Sequence, residues 1–139
     1  MLTAAIFTGA AIYVSVSEQP ARLALDDRAM LTQWKPSYQR GAAMQSALAL
    51  IACVLGLGAW RQTGDFFWLL GAIAIIAAWP YTLLVIRPTN HELLGTDLAN
   101  AGPKTRALIL KWGRLHLVRT SLGVLTTLFF LCASLKGPG

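Results

Sequence analysis

Four apolar stretches divide the chain: Leu2 to Val16, Ala42 to Trp60, Phe66 to Ile86 and Leu115 to Leu135. A membrane-spanning helix needs roughly 20 mostly apolar residues, and with partial turns added at their polar ends these stretches predict four spans, 2–22, 37–60, 66–87 and 112–135. Polar connections 23–36 and 88–111 link the first span to the second and the third to the fourth, and the tight turn "RQTGD" joins the middle two. The expected fold is therefore all-α, a four-transmembrane-helix bundle occupying 1–139 as a single integral membrane domain. The first stretch competes with a cleaved signal peptide, but no basic residue precedes Leu2, so it is read as a helix.

The connections carry their own punctuation. Asp26 and Asp27 stand where the N-cap and first-turn acid of a short interfacial helix belong, and Pro36 suits the first turn of the second span. Gly102 and Pro103 mark a stop before an amphipathic lead into the fourth. Pro80 is expected to kink the third, and His91 falls in a loop. The halves echo each other: "QWKPSYQRGAA" and "KWGRLHLVRTS" both place a ring four residues after a Trp, and "SEQPARLAL" and "IRPTNHELL" both put a Pro at the exit of an odd-numbered span. Two helical hairpins related by a pseudo-twofold along the membrane normal would give this pattern.

Composition agrees with the pattern. Of 139 residues, 55% are hydrophobic and only 13% charged, with a mean hydropathy of +0.55, which excludes an ordinary soluble domain. The net charge of +6 is an orientation signal and implies no nucleic acid. Arg22, Arg28, Lys35 and Arg40 flank the first connection and Arg87, Lys104, Arg106, Lys111 and Arg114 the second, against Arg61 and Lys136 on the other side. The positive-inside rule then puts the long loops in the cytoplasm of an inner or plasma membrane and both termini outside. Cys53 and Cys132 lie inside apolar stretches without a CxxC pair and read as inert packing residues.

With that orientation, the ionisable side chains gather at one depth. Trp112, His116 and Arg119 differ by 4 and 7 positions, which returns to one helical face, and charged groups in a span avoid lipid. Glu18 is the expected counter-ion of Arg119, with Tyr38, Arg40 and Asn90 at the same level, so a polar cup is expected beneath the cytoplasmic surface. Trp34, Trp60, Trp79 and Trp112 also suit an interfacial belt, while Arg40 and Arg114 could snorkel.

The segments "EQPARLAL", "W...Y.RG", "YTLLVIRPTNHELL" and "LKWGRLHLVRTSLG", in this order, resemble the small four-helix membrane family labelled anthrone oxygenase-like, over nearly the whole chain from Glu18 to Gly123. The most specific pieces are Pro88-Thr89-Asn90 and Trp112-x-x-x-His116-x-x-Arg119. The resemblance implies oxidation of an anthrone-like, phenolic or quinol aromatic by molecular oxygen, with no bound cofactor. It implies catalytic roles for His116, Arg119, Glu18 and Asn90 and substrate contacts from Trp112, Tyr38 and Arg40. His116 would take a proton from carbon, and Arg119 or Arg40 would stabilise the resulting enolate.

Other classes remain open at this point. His91 and His116 could be axial ligands of a haem, or one of them could join Glu18 at a metal, although their spacing is a weak signal. Glu18 could drive a small proton-coupled transporter. Small-residue runs such as "GLGA" and "GAIAIIAA" would allow close helix packing within the chain or in a homo-oligomer or assembly subunit.

Overall fold

A computed structural model describes residues 1–136. All regular structure among them is helical. Helix α1 runs through Leu2–Tyr13, a π-helical turn Val14–Glu18 and Gln19–Leu23. Helix α2 is Asp27–Thr63. Helix α3, Phe66–Gly95, is interrupted at Ala77 and widened by a second π turn at Thr82–Ile86. Helix α4 is Pro103–Leu135. Three of them (α2, α3 and α4) are long and apolar enough to cross a membrane.

The stretches 23–36 and 88–111, expected as polar connections, are helical over most of their length. At 1.5 Å per residue α2 is about 55 Å long, well beyond a bilayer core of about 30 Å, so its first turns extend past the apolar zone. Asp26 does cap a helix, accepting from the Ala29 amide at 2.9 Å, but the helix is α2 itself. Pro36 consequently lies inside α2 and not at its start. The extension is held by packing: Met30, Leu31 and Trp34 are fully buried against Ile86, Leu93, Ile109 and Trp112. Trp34 is thus a core residue and not part of an interfacial belt.

The helix ends at this pole are tied by arginine and lysine. Arg106 bonds Asp27 at 2.6 Å and donates to the carbonyls of Leu23 and Leu25 at 2.8 and 2.6 Å, closing the end of α1. Lys35 donates to the carbonyls of Leu94 and Thr96 at 3.0 and 2.6 Å, closing the end of α3. These contacts satisfy orphan helix carbonyls and suit the negative end of the helix dipole. At the opposite pole Gly64, with φ of 70°, turns the chain from α2 to α3. Asp65 caps α3 through the Phe67 amide at 2.9 Å and pairs with Lys136 at 3.2 Å. The Phe67 amide first, and the Lys136 ammonium after it, hold the Asp65 carboxyl below its ordinary range.

Both π turns have a stated cause. Pro20 and Pro88 follow them at the same spacing, and each lacks the N–H that an α-helix would offer to the carbonyl four residues earlier. The chain answers with a wide turn just upstream, in which Gln19 N–H reaches the Val14 carbonyl and Arg87 N–H that of Thr82. The interruption at Ala77 stands three residues before Pro80, whose ring crowds the Ile76 carbonyl.

The lower half of the bundle packs around Phe130. A Cβ on Gly71 would come within 2.3 Å of its ring and one on Gly56 within 2.6 Å, so two glycines make the room for one aromatic side chain. Cys53 packs in this cluster, whereas Cys132, expected to be a packing residue, is exposed on α4, and both are free thiols. Gly71→Ala is expected to overpack the bundle and destabilise it by about 1–3 kcal/mol, while Gly9→Ala, with open space at its Cβ position, should not; thermal unfolding of the two variants in the same detergent checks this.

Candidate functional site

Four helices contribute to one slot lined by Val14, Ser37, Tyr38, Gln45, Asn90, Trp112, His116 and Arg119, with Gly41, Ala42 and Ile86 completing the wall. The spacing of Trp112, His116 and Arg119 on α4 turns all three inward, and each is less than a tenth exposed. On α2 the matching face carries Trp34, Tyr38 and Gln45. Trp34 stacks on Tyr38 with ring centroids 4.8 Å apart and planes within 2°. Trp112 stacks on His116 at 5.0 Å, and the two tryptophans meet edge to face at 5.8 Å and 89°. An aromatic wall Tyr38, Trp34, Trp112, His116 results.

The polar groups on this wall are unevenly satisfied. His116 Nδ1 lies 3.3 Å from the Ser15 hydroxyl, which is 3.0 Å from that of Thr120. Asn90 donates to the Tyr38 hydroxyl at 3.0 Å, and its Oδ1 is buried without a partner. Arg119 donates to Gln45 Oε1 at 3.1 Å and stands over the Phe7 ring at 6.0 Å, but its Nε has no partner. Trp34 Nε1 in the same wall is also buried without a partner, and because buried polar atoms are nearly always bonded, each of these three exceptions requires an explanation. The slot is narrow between these side chains. Only about 30 Å³ of it admits the centre of a water molecule, roughly two water positions at ~10–15 Å³ each.

Of the residues expected in the cup, the slot brings together His116, Arg119, Asn90, Trp112 and Tyr38. Glu18 and Arg40 are not in it. Arg40 is exposed on α2, because its position is rotated away from the face shared by Tyr38 and Gln45. Glu18 does not pair with Arg119. Its partner is Arg22, at 2.8 Å one helical turn on, and its Oε1 also accepts from Gln33 at 2.9 Å and from Ser37. Arg22, expected at the interface, is 2% exposed. It donates to Gln19 at 2.8 Å and to Gln33, and lies over Trp112 at 5.6 Å. The ion pair thus backs the aromatic wall from behind.

The sequence pattern does not single out Gln45, Ser15 or Ser37. Gln45 had a readable signal: a lone amide in the apolar run after Ala42, seven positions from Tyr38 and so on its face. His91 is exposed at the outer side of Tyr38 and Asn90. Among the described residues no group of three or more His, Cys, Asp or Glu side chains is placed to hold a metal ion.

The profile of the anthrone oxygenase family matches residues 34–129, well over half of the chain. The chain belongs to the anthrone oxygenase family. It is 30% identical over 137 residues to an anthrone oxygenase of Claviceps purpurea, covering 87% of this chain and 75% of that protein. It is 29% identical over 131 residues to the anthrone oxygenase tpcL of Aspergillus fumigatus, covering 86% and 81% respectively. Likeness to the anthrone oxygenase nsrD of Aspergillus novofumigatus is 29% over 104 residues, covering 68% and 64%. No solved structure matches. An oxygenase-like function in general terms follows from this membership. The family match spans Trp34, Tyr38, Asn90, Trp112, His116 and Arg119 and leaves Glu18 and Arg22 outside it.

The Glu18–Arg22 pair makes a stability prediction. Removing one member of a buried pair strands the other charge and costs roughly 3–5 kcal/mol, so Glu18→Ala is expected to unfold far more readily than wild type. The double variant Glu18→Leu with Arg22→Met should regain most of the loss, as read by denaturant unfolding.

Proposed function

We propose that this protein oxidises an anthrone-like, phenolic or quinol aromatic with molecular oxygen inside the slot, by proton abstraction and enolate stabilisation. The observation that carries the reading is that His116, Arg119 and Asn90 converge on one aromatic-walled space where the Arg119 Nε and Asn90 Oδ1 have no partner. A ligand with an oxyanion for the first and a hydroxyl for the second would complete both.

Taking the anthrone as the reference substrate, the steps follow from the groups present. The flat ring lies along Trp112 and Tyr38. His116, in the tautomer whose Nδ1–H donates to Ser15, offers its Nε2 lone pair to the acidic carbon hydrogen opposite the carbonyl. As that proton leaves, the carbonyl oxygen becomes an enolate oxygen, and Arg119 already stands there with its charge fixed. Preorganised charge of this kind commonly accounts for the largest part of a rate enhancement. The enolate gives one electron to oxygen, and the radical pair joins as a carbon–oxygen bond to form a peroxide, which takes back the proton held by His116. Loss of the second hydrogen from the same carbon, with cleavage of the O–O bond, leaves a carbonyl and releases water. One anthrone and one dioxygen give one anthraquinone and one water, so the substrate itself supplies all the electrons.

Gln45 would hold the Arg119 guanidinium without neutralising it, and Glu18 with Arg22 would support Trp112 from behind. The basic residues of the two connections support, by the positive-inside rule, a slot toward the cytoplasmic leaflet with both termini on the far side. A proton-coupled transporter is less well supported, because its carboxylate would be Glu18, which is already engaged by Arg22, Gln33 and Ser37.

Oxygen uptake by the purified protein on an anthrone and hydroquinone panel tests the proposal. His116→Ala is expected to lower kcat about 10²–10⁴-fold, and Arg119→Met about 10²–10³-fold. No uptake by wild type on any member would remove the reading, and so would full activity in His116→Ala.

A further inference from the structure

Arg119 lines two spaces, one on each side. Inward is the slot. Outward is a cleft between α2 and α3 lined by Ser46, Ala78, Trp79, Thr82 and Leu83. About 190 Å³ of it is open to a water-sized group, several times the free room in the slot. Its outer rim is apolar and faces the surroundings, with Trp79 40% and Leu83 56% exposed. The Thr82 hydroxyl is spent on the Ala78 carbonyl at 2.7 Å. The helix that forms this rim is long and apolar enough to cross a membrane.

We infer that this cleft is a lipid-facing binding site for a flat, uncharged aromatic, and that Arg119 is the threshold between it and the slot. The inference rests on the proposed aromatic oxidation. Three observations point to this occupant. The cleft has the volume a ring needs, whereas the slot in its present form does not. Trp79 offers a half-exposed indole face on which a ring can stack. The inner wall is the Arg119 guanidinium, 7% exposed, whose positive charge suits the carbonyl oxygen of an uncharged ring.

The position on α3 adds a means of opening. The α3 wall of the cleft runs from just past the interruption at Ala77 into the π turn at Thr82–Ile86, two departures from regular α-helix of the kind at which helices bend. Charge gives the site direction. A neutral substrate and a neutral quinone both dissolve in hydrocarbon and can pass Arg119 either way, while the enolate formed between them is an anion that pairs with the guanidinium and cannot return to lipid.

The test uses the full chain in phosphatidylcholine nanodiscs with 9,10-anthraquinone, which cannot be oxidised further in this way, as quencher of tryptophan emission. Saturable quenching is expected. Trp79→Phe should remove roughly half of it or more, and Ser46→Phe and Leu83→Phe, which fill the cleft from its inner and outer sides, should each weaken binding about tenfold. Leu83→Phe alters only an exposed position, so a folding defect in Ser46→Phe leaves the test intact. The inference is overturned if quenching does not saturate, if it persists in full in Trp79→Phe, or if both filled variants bind as wild type does. Saturable binding at the cleft together with no oxygen uptake on the aromatic panel would leave the cleft standing and remove the oxygenase reading.

Discussion

A guanidinium enclosed among apolar helices, with no carboxylate among the described residues within ion-pair distance, is the constraint that organises this bundle. Desolvating a cation is expensive unless partners replace the water, and Arg119 has only Gln45 and the face of Phe7 in place of water. A nearby acid would have neutralised it and left nothing to attract an anion. The amide of Gln45 fixes the group in place and leaves its charge unspent, which is the condition under which a positive charge in a dry site acts strongly on an oxyanion. The acid that could have served, Glu18, is kept away by its bonds to Arg22, Gln33 and Ser37.

The aromatic wall is assembled from two copies of one local device. Trp34 with Tyr38 and Trp112 with His116 are each a ring pair four residues apart on a helix, stacked in both cases, and the two pairs join through the edge-to-face tryptophans. The odd-numbered helices repeat a second device, a π turn followed at equal spacing by Pro20 or Pro88. Chemistry enters where the copies differ. The second ring is a phenol on α2 and an imidazole on α4, and the next turn carries Gly41 on one helix and Arg119 on the other. The wall thus presents an imidazole and a guanidinium from α4 and hydrogen-bonding groups from α2.

Most of this was legible where a period or a charge made it so. The apolar stretches marked the helices, and the 112, 116, 119 spacing found the inward face of α4, because both follow from helical geometry alone. The partner of Arg119 was not legible, since choosing between Glu18 and Gln45 requires the rotation of α1 and α2 about their axes, which the sequence pattern leaves loose. The same looseness misplaced Arg40, and with it Trp34, which looked interfacial only because 23–36 looked like a loop. That stretch reads as polar on average, yet Met30, Leu31 and Trp34 sit on one side of it, so its helicity comes from tertiary packing and not from composition.

The Glu18–Arg22 bond closes within a single helix, four residues apart. Its two charges therefore neutralise each other without help from another helix's charge. Arg119 has no such companion on α4 and gains its amide only when α2 is alongside. The two arginines thus differ in how they are settled, one by its own helix and the other by helices brought together in the finished bundle.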